Sequence, residues 1–272
     1  MLYSNEHKKY IKEKKKKQTL IGITQILIFI IFIAIWEILA RLNLINTFLS
    51  SSPSLIVKTI INLANNNNLF NHILITLYET ILSFFLSIII SIVIASILWW
   101  NDFLKKVLDP YLTILNSLPK VALGPILIIW IGANMNSIIF MALLITTIIS
   151  IITILNGFNN TDSNKIKLMK SLNASKWQIY KILVLKGNIP TIISSLKINI
   201  SMCLIGIIMG ELLVSKEGIG YLIMYGSQVF NLNLVMAGII LLAIISYILY
   251  FIVSYIEKKL VRYNDMNPVS WT

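Results

Sequence analysis

Charged residues are scarce in this sequence of 272 residues. Asp, Glu, Lys and Arg together make up 12% of it, about half the share found in soluble proteins. Hydrophobic residues make up 57%, and the mean hydropathy is +0.82. This composition predicts an integral membrane protein. The net charge of +12 comes mainly from lysines between apolar runs rather than on a compact basic domain, so nucleic acid is not expected as a partner.

Cysteine and histidine are nearly absent as well. Cys203 is the one cysteine, and His7 and His72 are the two histidines. Neither a disulfide framework nor a Cys/His metal cluster can be assembled from them. We therefore predict no metal and no cofactor for this chain.

Sequence motifs of catalysis are also missing. There is no GxxxxGK[ST] phosphate loop, so this chain is not expected to bind and hydrolyse ATP. There is no HExxH motif, and all four aspartates lie outside the apolar runs, which excludes an intramembrane aspartyl pair. The sequence thus argues against a membrane enzyme.

The sequence does contain six apolar regions long enough to cross a bilayer. We predict an all-α integral membrane protein with a transmembrane domain at 20–256 and tails at 1–19 and 257–272. The first region has the layout of a signal peptide, but no small-x-small site follows it, and we expect an uncleaved span. The predicted spans, called one to six below, are 20–39, 73–100, 111–131, 137–155, 192–213 and 234–255.

Two local patterns lie in and after span one. Glu37 and Arg41 are four residues apart and are expected to pair on one helix face. Ser52 followed by Pro53 is a helix start signal. It predicts a short amphipathic surface helix, which has too few apolar residues to span a bilayer.

Span three is predicted to be broken, because Pro119, Gly124 and Pro125 interrupt it. Lys120 lies at the break, and a lysine at the bilayer centre costs ~2.5–3.5 kcal/mol on insertion scales. Broken helices occur in membranes where they line cavities inside protein. Lys120 is therefore expected either to face such a cavity or to pair locally.

Small residues recur on two of the other spans. Span two carries Ser83, Ser87 and Ser91 at intervals of four, and span five carries Gly206 and Gly210 in a GxxxG pattern. Small residues at this spacing let another helix approach closely. Both patterns predict helix packing sites.

The longest polar connection lies at 159–190, between spans four and five, and holds six lysines. It is predicted to form two short helices. Ser175 and Gln178 fit a capping box at the start of the second helix, which places the turn at Asn173 and Ala174. The next residues form one apolar stripe at helical spacing: Trp177, Tyr180 and Val184. Such a helix pair is expected at the membrane surface, with one face presented to a partner.

Basic residues predict the orientation of the chain. With six spans, four segments share one side of the membrane: the two tails, 101–109 and 159–190. Together they carry eighteen Lys and Arg residues. The other side carries three: Arg41, Lys58 and Lys216. Because cytoplasmic connections are enriched in Lys and Arg, both termini and the long polar connection are predicted to be cytoplasmic.

Several motifs then carry a family resemblance. The first is the Ser-Pro-Ser before the surface helix, and the second, in span three, is Ser117-Leu-Pro-Lys-Val-Ala-Leu-Gly-Pro125 with Trp130-Ile-Gly132. The third, in the polar connection, is Asn173-Ala-Ser-Lys-Trp-Gln-Ile-Tyr-Lys ending at Ile189-Pro190. The fourth, at and after the end of span five, is Glu211-Leu-Leu-Val-Ser with Gly218-Ile-Gly-Tyr-Leu-Ile223. Together they resemble the permease subunits of bacterial binding-protein-dependent ABC importers, and within them the nitrate/sulfonate/taurine group. The resemblance covers about 36–260, most of the chain.

The polar connection departs from the EAA–G–I–LP signature of that family. Lys167, Leu168 and Met169 stand where the signature has Glu-Ala-Ala, Asn173 replaces its glycine, and Lys186 replaces its first proline. Asn tolerates the left-handed conformation, so the turn is expected to survive. The specific ion pair that the missing glutamate would make is not expected.

The resemblance implies a type I ABC importer permease in the bacterial cell membrane. Its implied partners are a second copy of itself, two copies of an ATP-binding subunit, an extracytoplasmic solute-binding protein and the lipid bilayer. The connection at 159–190 becomes the coupling loop, with these implied ATPase contacts: Ser171, Leu172, Asn173, Ala174, Ser175, Trp177 and Tyr180. The implied translocation path and helix break comprise Pro119, Lys120, Gly124, Pro125 and Glu211.

Two other functions compete with this interpretation. A secondary transporter or channel needs no ATPase, but it usually shows paired repeats and titratable residues within its spans. A membrane scaffold or assembly factor is the other alternative. The resembling group handles small anions such as sulfonates, nitrate and taurine, or vitamin precursors, and the residues alone do not choose among these.

Overall fold

The protein is helical throughout the part of the chain that the structure describes. The computed structural model describes residues 5–65 and 68–266. The outer parts of both predicted tails, 1–4 and 267–272, lie outside the described residues. The helices are α1 Asn5–Arg41, α2 Pro53–Asn65, α3 Asn68–Trp100, α4 Asp102–Ser117, α5 Gly124–Ile131, α6 Met135–Asn159, α7 Ser163–Ser171, α8 Lys176–Gln178, α9 Ile189–Val214, α10 Ile219–Gln228 and α11 Leu232–Met266. Shorter helical pieces lie at Thr47–Ser50 and Lys120–Leu123, and α8 continues as a π-helix over Ile179–Leu185.

Five of these helices, α1, α3, α6, α9 and α11, are long and apolar enough to cross a membrane. The bent pair, in which α4 meets the segment Lys120–Ile131 at 89°, makes a sixth span if the two parts are counted as one. The predicted all-α fold is thereby confirmed, with five or six apolar spans. Helix α4 begins at Asp102, earlier than the predicted start of span three, because the side chain of Asn101 caps it by accepting the Leu104 N–H at 3.1 Å.

The centre of the fold is formed by spans two, four and five, which are α3, α6 and α9. Ser83, Ser87 and Ser91 on span two are fully buried. A Cβ atom on Gly206 would lie 2.5 Å from the Cα of Ala142, and one on Gly210 would lie 2.9 Å from the Cα of Ile138. The backbones of spans four and five therefore touch, as small residues at an interhelical contact allow.

A buried amide joins the same three spans. The Asn199 side chain on span five accepts a hydrogen bond from Ser87 Oγ on span two at 2.8 Å. Its amide nitrogen donates to Ser150 Oγ on span four, also at 2.8 Å. Since hydrocarbon offers no partner to an amide, this network favours one relative position of the three helices.

Span one lies at the edge of the fold and contacts α2 near its end. Its apolar stretch has no residue buried inside the protein. The predicted pairing of Glu37 with Arg41 is confirmed at 2.7 Å, and Glu37 also accepts the Ser54 N–H at 3.0 Å. The predicted helix start is confirmed too, because Ser52 Oγ accepts the Leu55 N–H at 3.3 Å.

Candidate functional site

The polar connection between spans four and five forms a helix–turn–helix. Asp162 caps α7 by accepting the Asn164 N–H at 2.8 Å. Asn173 has φ 58°, the left-handed conformation that ends α7. Ser175 and Gln178 then form the predicted capping box, in which the Ser175 N–H donates to Gln178 Oε1 at 2.7 Å. The capping box and the position of the turn are therefore confirmed.

Large apolar side chains are exposed on this helix pair. Leu168 is 61% exposed, Leu172 73% and Trp177 58%. We call these three residues the docking face. Among the predicted ATPase contacts, Ser171, Leu172, Asn173, Ser175 and Trp177 are exposed and Ala174 is half-buried. Apolar side chains grouped on a polar surface element are typical of a protein–protein contact.

Tyr180 differs from the other predicted contact residues. It is only 7% exposed, and its hydroxyl lies 2.5 Å from Ser96 Oγ on span two. Its ring also meets Phe158 of span four edge to face, with 6.1 Å between centroids. Tyr180 therefore attaches the helix pair to the transmembrane core. The resemblance implied an ATPase contact for this residue, whereas its ring is buried in a single copy of the chain.

An aromatic cluster joins the second helix to the end of span two. We call Trp99, Trp100, Lys176 and Tyr180 the aromatic clasp. Lys176 Nζ donates to the Trp100 carbonyl at 2.5 Å and lies 5.1 Å from the centroid of that indole ring. Tyr180 lies 5.4 Å from Trp99, centroid to centroid. Sequence reasoning missed this cluster, although two adjacent tryptophans at the end of a span were a signal for it.

The break in span three lies at Pro119, where α4 has ended and a short helical turn begins. Lys120 Nζ donates to the Asn116 carbonyl at 2.9 Å. Of the two predicted alternatives, facing a cavity or pairing locally, this bond is the local pairing. Gly124 is buried, and a Cβ on it would lie 2.6 Å from Leu213 Cδ1. Pro125 follows in the first turn of α5. The break thus packs against spans four and five through its glycine.

Glu211 was expected on the translocation path together with the helix break, but it lies inside the subunit. It is 1% exposed and accepts hydrogen bonds from Thr76 Oγ1 and from the Gly220 N–H, each at 2.6 Å. Gly218 has φ 98° and packs directly against the Glu211 carboxyl group, where no Cβ would fit. The two glycines let the chain fold back over the carboxyl group and cover it.

No ligating cluster accompanies these sites. Within residues 5–65 and 68–266, no group of three or more His, Cys, Asp or Glu side chains could hold a metal ion. A cavity of about 460 Å³ lies beside Glu79 and 214–217.

Known transport proteins resemble the chain over most of its length. The protein named for aliphatic sulfonate transport, SsuC of Bacillus subtilis, is 28% identical over 86% of this chain and 85% of its own. The formylaminopyrimidine transport permease protein ThiX of Halalkalibacterium halodurans is 29% identical over 72% of this chain and 77% of its own. The taurine transport system permease protein TauC of Escherichia coli is 22% identical over 85% of this chain and 86% of its own.

Solved structures share the fold. A chain of the MetNI methionine ABC transporter in an inward-facing conformation has a TM-score of 0.63 at 17% identity, covering 71% of this chain and 95% of that one. A chain of a bacterial ABC transporter that imports alginate also has a TM-score of 0.63, at 15% identity, covering 90% of this chain and 98% of that one. These likenesses confirm the predicted type I importer permease fold.

The family model for the inner membrane component of binding-protein-dependent transport systems matches residues 87–262. This range begins halfway along span two and runs through span six, so it contains the helix–turn–helix, the broken span and the aromatic clasp. The resemblance to the sulfonate and taurine permeases is confirmed with it. The chain therefore belongs to the family of binding-protein-dependent transport system inner membrane components, the multi-pass permease subunits of ABC importers.

Proposed function

We propose that this chain forms half of the path by which a small solute enters the cell, and that a second copy forms the other half. The observation that carries the proposal is the exposed docking face on α7 and α8 of a chain that belongs to a transport family. Because the sequence has no phosphate loop, the energy must come from an ATP-binding chain that contacts it. Leu168, Leu172 and Trp177 offer such a chain an apolar surface.

Two ATP-binding subunits would drive the cycle. ATP brings them together, and the docking face of each permease copy follows the subunit that holds it. The aromatic clasp passes this movement to span two, and Tyr180 passes it to span four through Phe158. A rigid element with two positions is the physical requirement for coupling of this kind.

The second copy is proposed from the surfaces that one subunit leaves uncovered. Ile129 and Trp130 on α5 are 80% and 77% exposed, and they follow directly on the broken segment. A single set of six spans has no internal repeat to enclose a path, so a two-fold partner supplies the other wall. A solute-binding protein then delivers the solute to the side opposite the docking face.

For the solute we propose a small sulfonate-like anion or a vitamin precursor. The proteins that support this carry names for aliphatic sulfonates, taurine and formylaminopyrimidine. The choice among them is made by the binding protein, since that partner selects the solute before the permease receives it. Thermal stabilisation of the binding protein by a panel of these compounds identifies the solute.

The coupling proposal is tested by placing a charge on the helix pair. We expect Ala174→Glu and Trp177→Glu to abolish transport and the stimulation of ATPase activity by loaded binding protein, because a buried carboxylate opposes docking. Lys58→Glu, on the exposed surface of α2, is the matched control and keeps both activities. All three variants are checked for membrane insertion. Normal transport by the Ala174 and Trp177 variants contradicts the proposal, as does purification without an ATP-binding subunit in mild detergent.

A further inference from the structure

Two glutamates from different spans meet in the interior of the subunit. Glu79 on span two is 2% exposed, and Glu211 on span five is 1% exposed. Glu211 accepts a hydrogen bond from Thr76 Oγ1 at 2.6 Å, and Glu79 lies three residues after Thr76 on the same face of span two. The two buried carboxyl groups are therefore neighbours, and they cannot both be ionised without a large repulsion in a low-dielectric interior.

No cation among the described residues forms an ion pair with either carboxyl group. Among the described residues, the ion pairs join Arg41 to Glu37 and Lys197 to Glu257, and neither involves Glu79 or Glu211. Lys216 and Glu217 line the neighbouring cavity, where both are exposed to solvent. His72 and Tyr221 are further titratable groups nearby: their rings stack with 5.9 Å between centroids, and His72 Nδ1 accepts the Gly218 N–H at 2.9 Å.

Hydrogen bonds distinguish the two carboxyl groups. Each oxygen of Glu211 accepts a bond, Oε1 from Thr76 Oγ1 and Oε2 from the Gly220 N–H, both at 2.6 Å. Donors that converge on a carboxyl group favour its ionised form. Glu79 receives no such donor among the described residues, and its buried Oε2 has no partner there. Glu79 is therefore the carboxyl group suited to carry a proton.

We propose that Glu79 and Glu211 form a proton-binding site, in which neutral Glu79 donates its proton to the Glu211 carboxylate. The bond joins span two to span five. Glu211 also accepts the N–H of Gly220 in α10. A proton that keeps Glu211 in place therefore also keeps α10 packed over the end of span five. Glu79 lines the cavity of about 460 Å³, and this cavity gives the proton a route to solvent.

Loss of the proton has a defined consequence. Two facing carboxylates repel, and the contact between span two, span five and α10 is weakened. Stability of the folded chain is therefore highest at acid pH and falls as pH rises, because the folded pair holds a proton that the unfolded chain has already released. This property belongs to the permease chain alone and does not depend on the proposed coupling to an ATPase.

Infrared difference spectroscopy on the purified full-length chain tests for the proton directly. A protonated carboxyl group has a carbonyl band that ionised carboxylates lack. We expect this band at neutral pH in the wild-type protein and its loss on alkalinisation. Glu79→Gln should lack the band, whereas Glu217→Gln, which changes an exposed glutamate of the same cavity, should keep it. Absence of a titrating band in the wild type, or its persistence in Glu79→Gln, overturns the proposal.

Thermal unfolding over a pH series provides an independent measurement. The wild type and Glu217→Gln should lose about 3 °C or more of Tm between neutral and alkaline pH. Glu79→Gln keeps a donor towards Glu211 and Glu79→Arg supplies a fixed cation, so both should lack this loss. The same alkaline loss in both variants contradicts the proposal. Removal of the wild-type loss by Na⁺ or Ca²⁺, without a carbonyl band, would assign the site to a metal cation instead.

Discussion

Gly206 shows how one residue sets the separation of two spans. A side chain there would meet the backbone of Ala142, whereas nothing lies within 4 Å of a Cβ on Gly22 in span one. We expect Gly206→Val to destabilise the protein by about 1–3 kcal/mol, the usual range for overpacking. Gly22→Val is the matched control in a span and should leave Tm unchanged. Equal Tm values for both variants in the same detergent would refute the close packing of spans four and five.

Asn173 decides whether the helix pair can turn. Gly adopts a φ of 58° without strain, and Asn tolerates it. A β-branched residue is strained in this conformation. Asn173→Gly should therefore leave coupling intact, and Asn173→Val should strain the turn by about 1–2 kcal/mol. The measurement is ATPase stimulation by loaded binding protein. A loss caused by Gly, or none caused by Val, contradicts the importance of the left-handed turn.

At the scale of elements, the aromatic clasp connects a surface helix to a membrane span. Tyr180→Phe keeps the ring and removes the hydroxyl that meets Ser96, while Lys176→Met removes the donor to the Trp100 carbonyl. We expect the double variant to retain ATPase activity but to transport less solute per ATP, because the docked helix pair no longer moves span two with it. The ratio of transport to ATP hydrolysis in proteoliposomes measures this.

The control for the clasp is Tyr247→Phe, which removes a hydroxyl from an exposed tyrosine of span six. It should leave the ratio at the wild-type value. A double-mutant cycle over Lys176 and Tyr180 separates a shared effect from two independent ones. If transport per ATP is unchanged in the double variant, the polar contacts of the clasp do not carry the movement to span two.

The whole molecule is proposed to lie with both termini and the docking face in the cytoplasm. Cys203 is fully buried, so a single added cysteine can report the side of a loop. We expect a membrane-impermeant maleimide to label Ser54→Cys in intact cells and Ser163→Cys only after permeabilisation. Both positions are exposed, which makes them a matched pair. Labelling in the reverse order would invert the orientation.

Local sequence signals predicted much of the helix–turn–helix. The capping box at Ser175 and the turn at Asn173 need only neighbours within a few residues, so their residue types were sufficient. The aromatic clasp was not predictable in the same way, because Lys176 and Trp100 are 76 positions apart. The burial of Tyr180 was not predictable for a related reason, because the pattern of an apolar stripe does not show which of its residues other helices will cover.

By itself, the sequence determined that the chain is a helical membrane protein with six apolar spans, a break in the third and one long polar connection. Composition and local spacing suffice for these features, since lipid leaves the backbone few choices. Only the tertiary structure decided that Glu211 is buried, that Thr76 of span two binds it, and that Lys176 attaches the polar connection to span two. Each of these contacts joins residues far apart in the chain, and packing alone brings them together.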